Sequence, residues 1–134
     1  MSDIVGIGVD IIEIERVTKA YKKESFRNKY FSEGERALIE KRIARCASAF
    51  AGKEAVVKAL GTGFTGVSPA DISILRDEKG TPIVKLTGGA QKLAKSLGVT
   101  EIKISLSDTQ EQAIAYAIAI REYKSSGMGS SVQE

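Results

Sequence analysis

Residues 112–121, QAIAYAIAIR, place Ile114, Tyr116, Ile118 and Ile120 on one side of an extended chain and four alanines on the other. Successive side chains of a β-strand point to opposite faces, so a strand here is apolar on both. Such a strand belongs in the middle of a sheet, with helices packed closely against its alanines. An alanine-rich helix is the competing assignment, because a short apolar run does not separate the two by period alone. Residues 3–9, DIVGIGV, also alternate. Val5, Ile7 and Val9 share one face; Ile4, Gly6, Gly8 and Asp10 share the other. That second face is nearly bare backbone ending in a carboxylate. Glycine inside a strand marks close approach, either by another element or by a ligand.

The remaining elements follow from period and punctuation. Residues 16–29 read as one basic helix, with Arg16, Lys19, Lys22, Lys23, Arg27 and Lys29 opposed by Glu24. Val17, Ala20 and Tyr21 are its candidate buried stripe. A charge run of this kind is either a solvated face or a surface for an acidic partner. Ser32-Glu33-Gly34-Glu35 is a capping box that opens a helix running to about residue 45. A second helix covers 47–60, with Gly61 where a C′ glycine belongs. Strands at 72–75 and 82–86 are joined through Asp77-Glu78-Lys79-Gly80 as a hairpin. Residues 89–97 form a short helix closed by Gly98, and 101–107 alternate again through Ile102, Ile104 and Leu106. The sum is an α+β domain over residues 1–124, an antiparallel sheet packed against helices. The last stretch, 125–134, is poor in hydrophobic residues and reads as a disordered tail.

Composition removes whole classes of chemistry. There is no histidine, which excludes Ser-His-Asp triads and histidine-ligated zinc. A metal site would be built from carboxylates and water, which suits Mg²⁺, Mn²⁺ or Ca²⁺. Cys46 is the only cysteine, so no intrachain disulfide forms, as expected of a protein in the reducing cytoplasm. No apolar run approaches the ~20 residues that span a bilayer, and no membrane association is expected. A net charge of +3 is compatible with an acidic partner. With 6% aromatic residues and no stacking strand, nucleic acid is not the expected partner.

Residues 53–63, KEAVVKALGTG, carry the candidate chemistry. Glu54 and Lys58 are four residues apart and share a helix face. On a surface helix such a pair contributes only ~0.3–0.5 kcal/mol. Here it is set among Phe50, Ala51, Ala55, Val56, Val57, Ala59 and Leu60, where a half-buried acid and base mark a site. The glycines follow the helix instead of preceding it, so this is not a P-loop. A phosphate at this negative helix end, beside Gly61, Thr62 and Gly63, needs cations from Lys58, Lys53 or a metal.

GIGVDIIEIER at the N-terminus, FAGKEAVVKALGTG in the middle, and GTPIVKL followed by ISLS resemble, in order, the holo-[acyl-carrier-protein] synthase family, the small 4′-phosphopantetheinyl transferases. The similarity runs over residues 4 to about 121. It implies transfer of the phosphopantetheine arm of coenzyme A to a serine of apo acyl-carrier protein, with release of adenosine 3′,5′-bisphosphate, in fatty acid and lipid biosynthesis. It implies Mg²⁺ held by Asp10 and Glu54, and Lys58 at the pyrophosphate. It further implies the α+β 4′-phosphopantetheinyl transferase fold, assembled as a homotrimer with active sites between subunits. The helix that contains Arg16, Lys22 and Arg27 would dock the carrier. Without histidine, the serine proton goes to Glu54 or to water on the metal. One position departs from the pattern: family members commonly have S-x-S-H where this chain has Ser105-Leu106-Ser107-Asp108. Asp108 is then either a third metal-site carboxylate or a turn residue, and a non-catalytic or atypical-carrier relative is the alternative reading.

Overall fold

The computed structural model of the chain describes residues 1–123; the expected tail lies outside them. The order is β1 (Ser2–Glu13), α1 (Ile14–Tyr21), α2 (Glu24–Tyr30), α3 (Glu33–Lys41), α4 (Arg45–Leu60), β2 (Ile72–Arg76), β3 (Pro82–Leu86), α5 (Gly88–Leu97), β4 (Glu101–Asp108) and β5 (Gln112–Glu122). A single 3₁₀ turn, Pro69–Asp71, precedes β2. The strands form an antiparallel three-stranded sheet, β1-β5-β4, and a separate hairpin, β2-β3.

The segment 112–121 is indeed the central strand. Ala113, Ala115, Ala117 and Ala119 are completely buried beneath α4. Methyl-sized side chains let the helix approach the sheet closely. Gly6 and Gly8 pair with Ala119 and Ala117 and extend this smooth inner surface across β1. A β-carbon on Gly8 would collide with the carbonyl oxygen of Ala55 and come within 2.8 Å of Lys58 Cβ. A β-carbon on Gly6 would collide with the carbonyl of Ala59. The close-approach reading of the strand glycines therefore has a named occupant, helix α4. Gly61 ends that helix in the left-handed conformation, φ 85°, with its N–H donating to the carbonyls of Val57 and Lys58.

The alternation assigned to β1 needs one correction. The pairing with β5 shifts between Ile4 and Gly6, a bulge that leaves Val5 without a partner opposite. Ile4 consequently turns outward to pair with Ile120. The outer face then carries Ile4, Ile7, Val9 and Ile11, each more than half exposed, beside Ile114 and Tyr116 at 40%. Val9 lies opposite Tyr116 and Ile11 opposite Ile114. Part of this domain's apolar surface is thus on the outside of its sheet.

The basic segment 16–29 is two helices, not one. Lys23 is extended (φ −88°, ψ 126°) and caps α2. Val17 and Tyr21 bury the inner side of α1. Phe26 follows Tyr21 by five residues, out of phase with a continuous helical stripe. The break brings Phe26 and Tyr30 to Phe50 on α4, with ring centroids 4.6 Å apart for Phe26–Tyr30 and 5.4 Å for Tyr30–Phe50. Such aromatic pairs contribute ~0.5–1.5 kcal/mol each beyond their burial. The capping box at Ser32 and Glu35 is formed as expected. Its helix stops at Lys41, earlier than the sequence suggests, and α4 starts at Arg45.

Candidate active site

Asp10 sits at the C-terminal end of β1, on the face turned toward α4. Glu54 and Lys58 lie one turn apart on α4. Because Gly8 admits the helix, Lys58 Nζ reaches across the junction. It donates to Asp10 Oδ1 at 3.1 Å and to the Val9 carbonyl at 2.9 Å. The lysine side chain is 53% exposed and that of Asp10 17%, so the pair lies at the floor of an open corner. Glu54 is partly buried beside them. Burial pushes its carboxyl above the ordinary glutamate value; the negative charge of Asp10 pushes the same way, and Lys58 opposes both. Two carboxylates therefore face one region that holds a single cation.

That donor set suits a hard divalent ion. Mg²⁺ commonly takes one or two carboxylates and completes its shell with water and phosphate oxygens. Among the described residues no group of three or more ligating side chains could hold a metal ion. Within the chain, Asp108 lies apart from Asp10 and Glu54. It closes β4 opposite Ala113, which in turn lies opposite Ile12, so two inter-strand spacings, roughly 10 Å, separate it from β1. Its carboxylate lies 3.9 Å from Arg42. The chain then turns at Thr109, whose hydroxyl accepts from the N–H groups of Glu111 and Gln112. The turn reading of Asp108 is the one the geometry matches.

Lys53 departs from the expectation that it meets phosphate. Its side chain is buried (1% exposed), and Nζ donates to Glu35 Oε1 at 2.5 Å, to the Pro69 carbonyl at 3.1 Å and to the Ile72 carbonyl. Three partners use all three ammonium protons. One residue along an α-helix is a rotation of about 100°, which turns Lys53 into the core while Glu54 and Lys58 face Asp10. Glu35 was legible only as a cap, and nothing in the spacing links it to Lys53.

Gly61, Thr62 and Gly63 are exposed directly after Lys58, and the Thr62 hydroxyl donates to the Gly63 carbonyl at 3.1 Å. Arg16 and Lys22 are exposed. Arg27 is partly committed within the fold: Nη1 donates to the Tyr21 carbonyl at 2.7 Å, and the guanidinium lies over the Tyr21 ring at 5.6 Å.

Comparison with known proteins covers the segments that carry these residues. The 4′-phosphopantetheinyl transferase superfamily model matches residues 6–118. The holo-[acyl-carrier-protein] synthase of Lachnoclostridium phytofermentans is 47% identical over 121 residues, covering 89% of this chain and 99% of that protein. The synthase of Alkaliphilus metalliredigens is 48% identical over 120 residues, covering 87% and 98%. Among solved structures, the Plasmodium yoelii holo-ACP-synthase superposes with a TM-score of 0.81 at 33% identity, over 92% of this chain and 99% of that one. The Helicobacter pylori synthase in complex with coenzyme A gives 0.76 at 29% identity, over 84% and 98%. With a match across nearly the whole described domain, the chain belongs to the 4′-phosphopantetheinyl transferase superfamily.

Proposed function

We propose that the chain is a holo-[acyl-carrier-protein] synthase, which moves the 4′-phosphopantetheine group of coenzyme A onto a serine of apo acyl-carrier protein. The observation that carries this reading is the junction of Asp10, Glu54 and Lys58, within a chain 47% identical to a synthase over 99% of that protein's length. In the transfer, the serine oxygen forms a bond to the phosphorus that carries pantetheine. The bond from that phosphorus to the bridging oxygen breaks, and adenosine 3′,5′-bisphosphate leaves. Asp10 and Glu54 would hold Mg²⁺, which when bound neutralises charge on the pyrophosphate. Lys58 already reaches past the backbone to Asp10, and a pyrophosphate oxygen offers it a second anionic partner at the point where charge develops. Glu54, with its carboxyl raised, is the chain's own candidate to accept the serine proton.

The exposed backbone of Gly61, Thr62 and Gly63 is the proposed approach for the nucleotide. The proposed docking surface for the acidic carrier is the α1–α2 corner, where Arg16 and Lys22 are free to meet carboxylates and Arg27 also orders the fold. The outer apolar face of β1 and β5 supports a homotrimer, since a single chain leaves it uncovered. We place the enzyme in the cytoplasm, in lipid biosynthesis, with residues 1–124 as the catalytic domain. No helix among the described residues is long and apolar enough to cross a membrane. The test is release of adenosine 3′,5′-bisphosphate, followed by chromatography. Release is expected only when coenzyme A, Mg²⁺ and apo carrier are all present; release without carrier would mean hydrolysis and contradict the proposal.

A further inference from the structure

The mechanism leaves one buried titratable pair unused. Glu35 and Lys53 are each 1% exposed and pair at 2.5 Å. Taking two charges out of water is expensive, and a well-packed apolar pair would commonly do as well for stability. What such a pair supplies best is register, and against the sheet α4 packs mainly through small residues. Its residues Ala51, Ala55 and Ala59 are small, Gly52 packs against Ile74 and Ile104, and the strand surface beneath is alanine and glycine. No side chain caps its N-terminus. Close packing of small residues sets the distance of α4 from the sheet, and directional bonds add control of its rotation and axial position.

Lys53 supplies directional bonds. Its ammonium is held by Glu35 of α3 and by the carbonyls of Pro69 and Ile72 before and at the start of β2. Glu35 is fixed in turn: Oε1 accepts from the Ser32 N–H at 3.0 Å, and Oε2 accepts from the Ile74 N–H at 2.9 Å. Ser73 joins by donating to the Ser32 hydroxyl at 2.8 Å. One cluster thus locks α3, α4 and β2 together. The residue next to Lys53 on α4 is Glu54.

We propose that the Glu35–Lys53 pair is a positioning device for the active site, setting the rotation and axial register of α4 so that Glu54 and Lys58 meet Asp10. Sliding by one residue would move Glu54 by about 1.5 Å and turn it by about 100°, enough to take it off a shared cation. The inference rests on the proposed metal role of Asp10 and Glu54. Lys53 and Glu35 are buried in the core and fully engaged with each other and with backbone, so they position and do not catalyse.

The test is Mn²⁺ affinity, read by electron paramagnetic resonance with coenzyme A present, alongside kcat and the KM for carrier. The double variant Glu35→Gln/Lys53→Met removes both charges and leaves neither one buried alone. It is expected to fold, to bind Mn²⁺ at least ~10-fold more weakly and to lose kcat by a similar factor, with carrier KM unchanged. Glu35→Asp keeps the charge but shortens the reach; it serves if the double variant does not fold, and should weaken Mn²⁺ at least ~3-fold. Wild-type Mn²⁺ affinity and kcat in a folded double variant, or wild-type affinity in Glu35→Asp, would overturn the positioning role. Wild-type enzyme that binds no Mn²⁺, or Glu54→Gln that binds it normally, would instead overturn the metal site itself.

Discussion

At the residue scale, Glu54 carries a conflict between stability and use. Its carboxyl is raised, first by burial and then by Asp10. An acid whose folded pKa lies above its unfolded value contributes no penalty below the unfolded pKa and its full penalty above the folded one. At neutral pH the ionised side chain is therefore a destabilising group, as expected if it serves the proposed transfer. Glu54→Gln is expected to raise the melting temperature at pH 7 while abolishing transfer. The gain should fade as pH falls below the ordinary glutamate value of about 4.3, which thermal denaturation across pH measures directly. An equal or lower melting temperature at pH 7 would contradict the assigned cause of the shift. In the same way, Mg²⁺ favours the carboxylate, so the acid limb of the transfer rate should move to lower pH as Mg²⁺ is raised. From the sequence, the apolar surroundings of Glu54 and Lys58 already marked them as a site. Lys53 was not separable from them, because its partner is eighteen residues away and a helical rotation of one residue decides which side it faces.

At the scale of elements, the strand glycines and α4 make one unit. Gly8→Ala would set a β-carbon against the Ala55 carbonyl and within 2.8 Å of Lys58 Cβ, so the helix must lift from β1. Overpacking of this kind costs about 1–3 kcal/mol, and here it also separates Lys58 from Asp10. The variant should melt lower and transfer more slowly, with carrier KM little changed; a fully active Gly8→Ala would mean the close approach does not set the site. The proposed docking corner gives a separate prediction. Reversing the charges of Arg16 and Lys22 should raise carrier KM at low salt and leave coenzyme A KM alone, because long-range attraction steers the encounter. Reversing Arg27 should in addition lower the melting temperature, since it also binds the Tyr21 carbonyl. Most elements were legible from period and caps, including β5 at the centre of its sheet. The α1–α2 break was not, because Phe26, Tyr30 and Phe50 reward it only after tertiary contact. The bulge after Ile4 was equally silent, since a one-residue slip changes no local preference.

At the scale of the whole molecule, the outer sheet face stays uncovered in a single chain. Ile7, Val9 and Ile11 are 57%, 55% and 52% exposed on one strand, with Ile114 and Tyr116 alongside. A patch of this kind marks an association surface, and the double-sided apolar pattern of residues 112–121 anticipated it. If the proposed trimer completes its site between subunits, Val9→Lys is expected to shift light scattering from trimer to monomer and to remove activity by mass action. A monomeric variant with full activity would confine the site to one chain. The proposed function requires Asp10 and Glu54 to serve group transfer to a carrier. The direct measurement is the intact mass of apo acyl-carrier protein after incubation with coenzyme A and limiting Mg²⁺. It compares wild type with Asp10→Asn and Glu54→Gln, each shown to be folded by circular dichroism. Wild type is expected to add one phosphopantetheinyl group to the carrier, and each variant to do so about 100-fold more slowly or worse. An unchanged carrier mass with wild type would contradict the function, and wild-type rates in both variants would contradict the site.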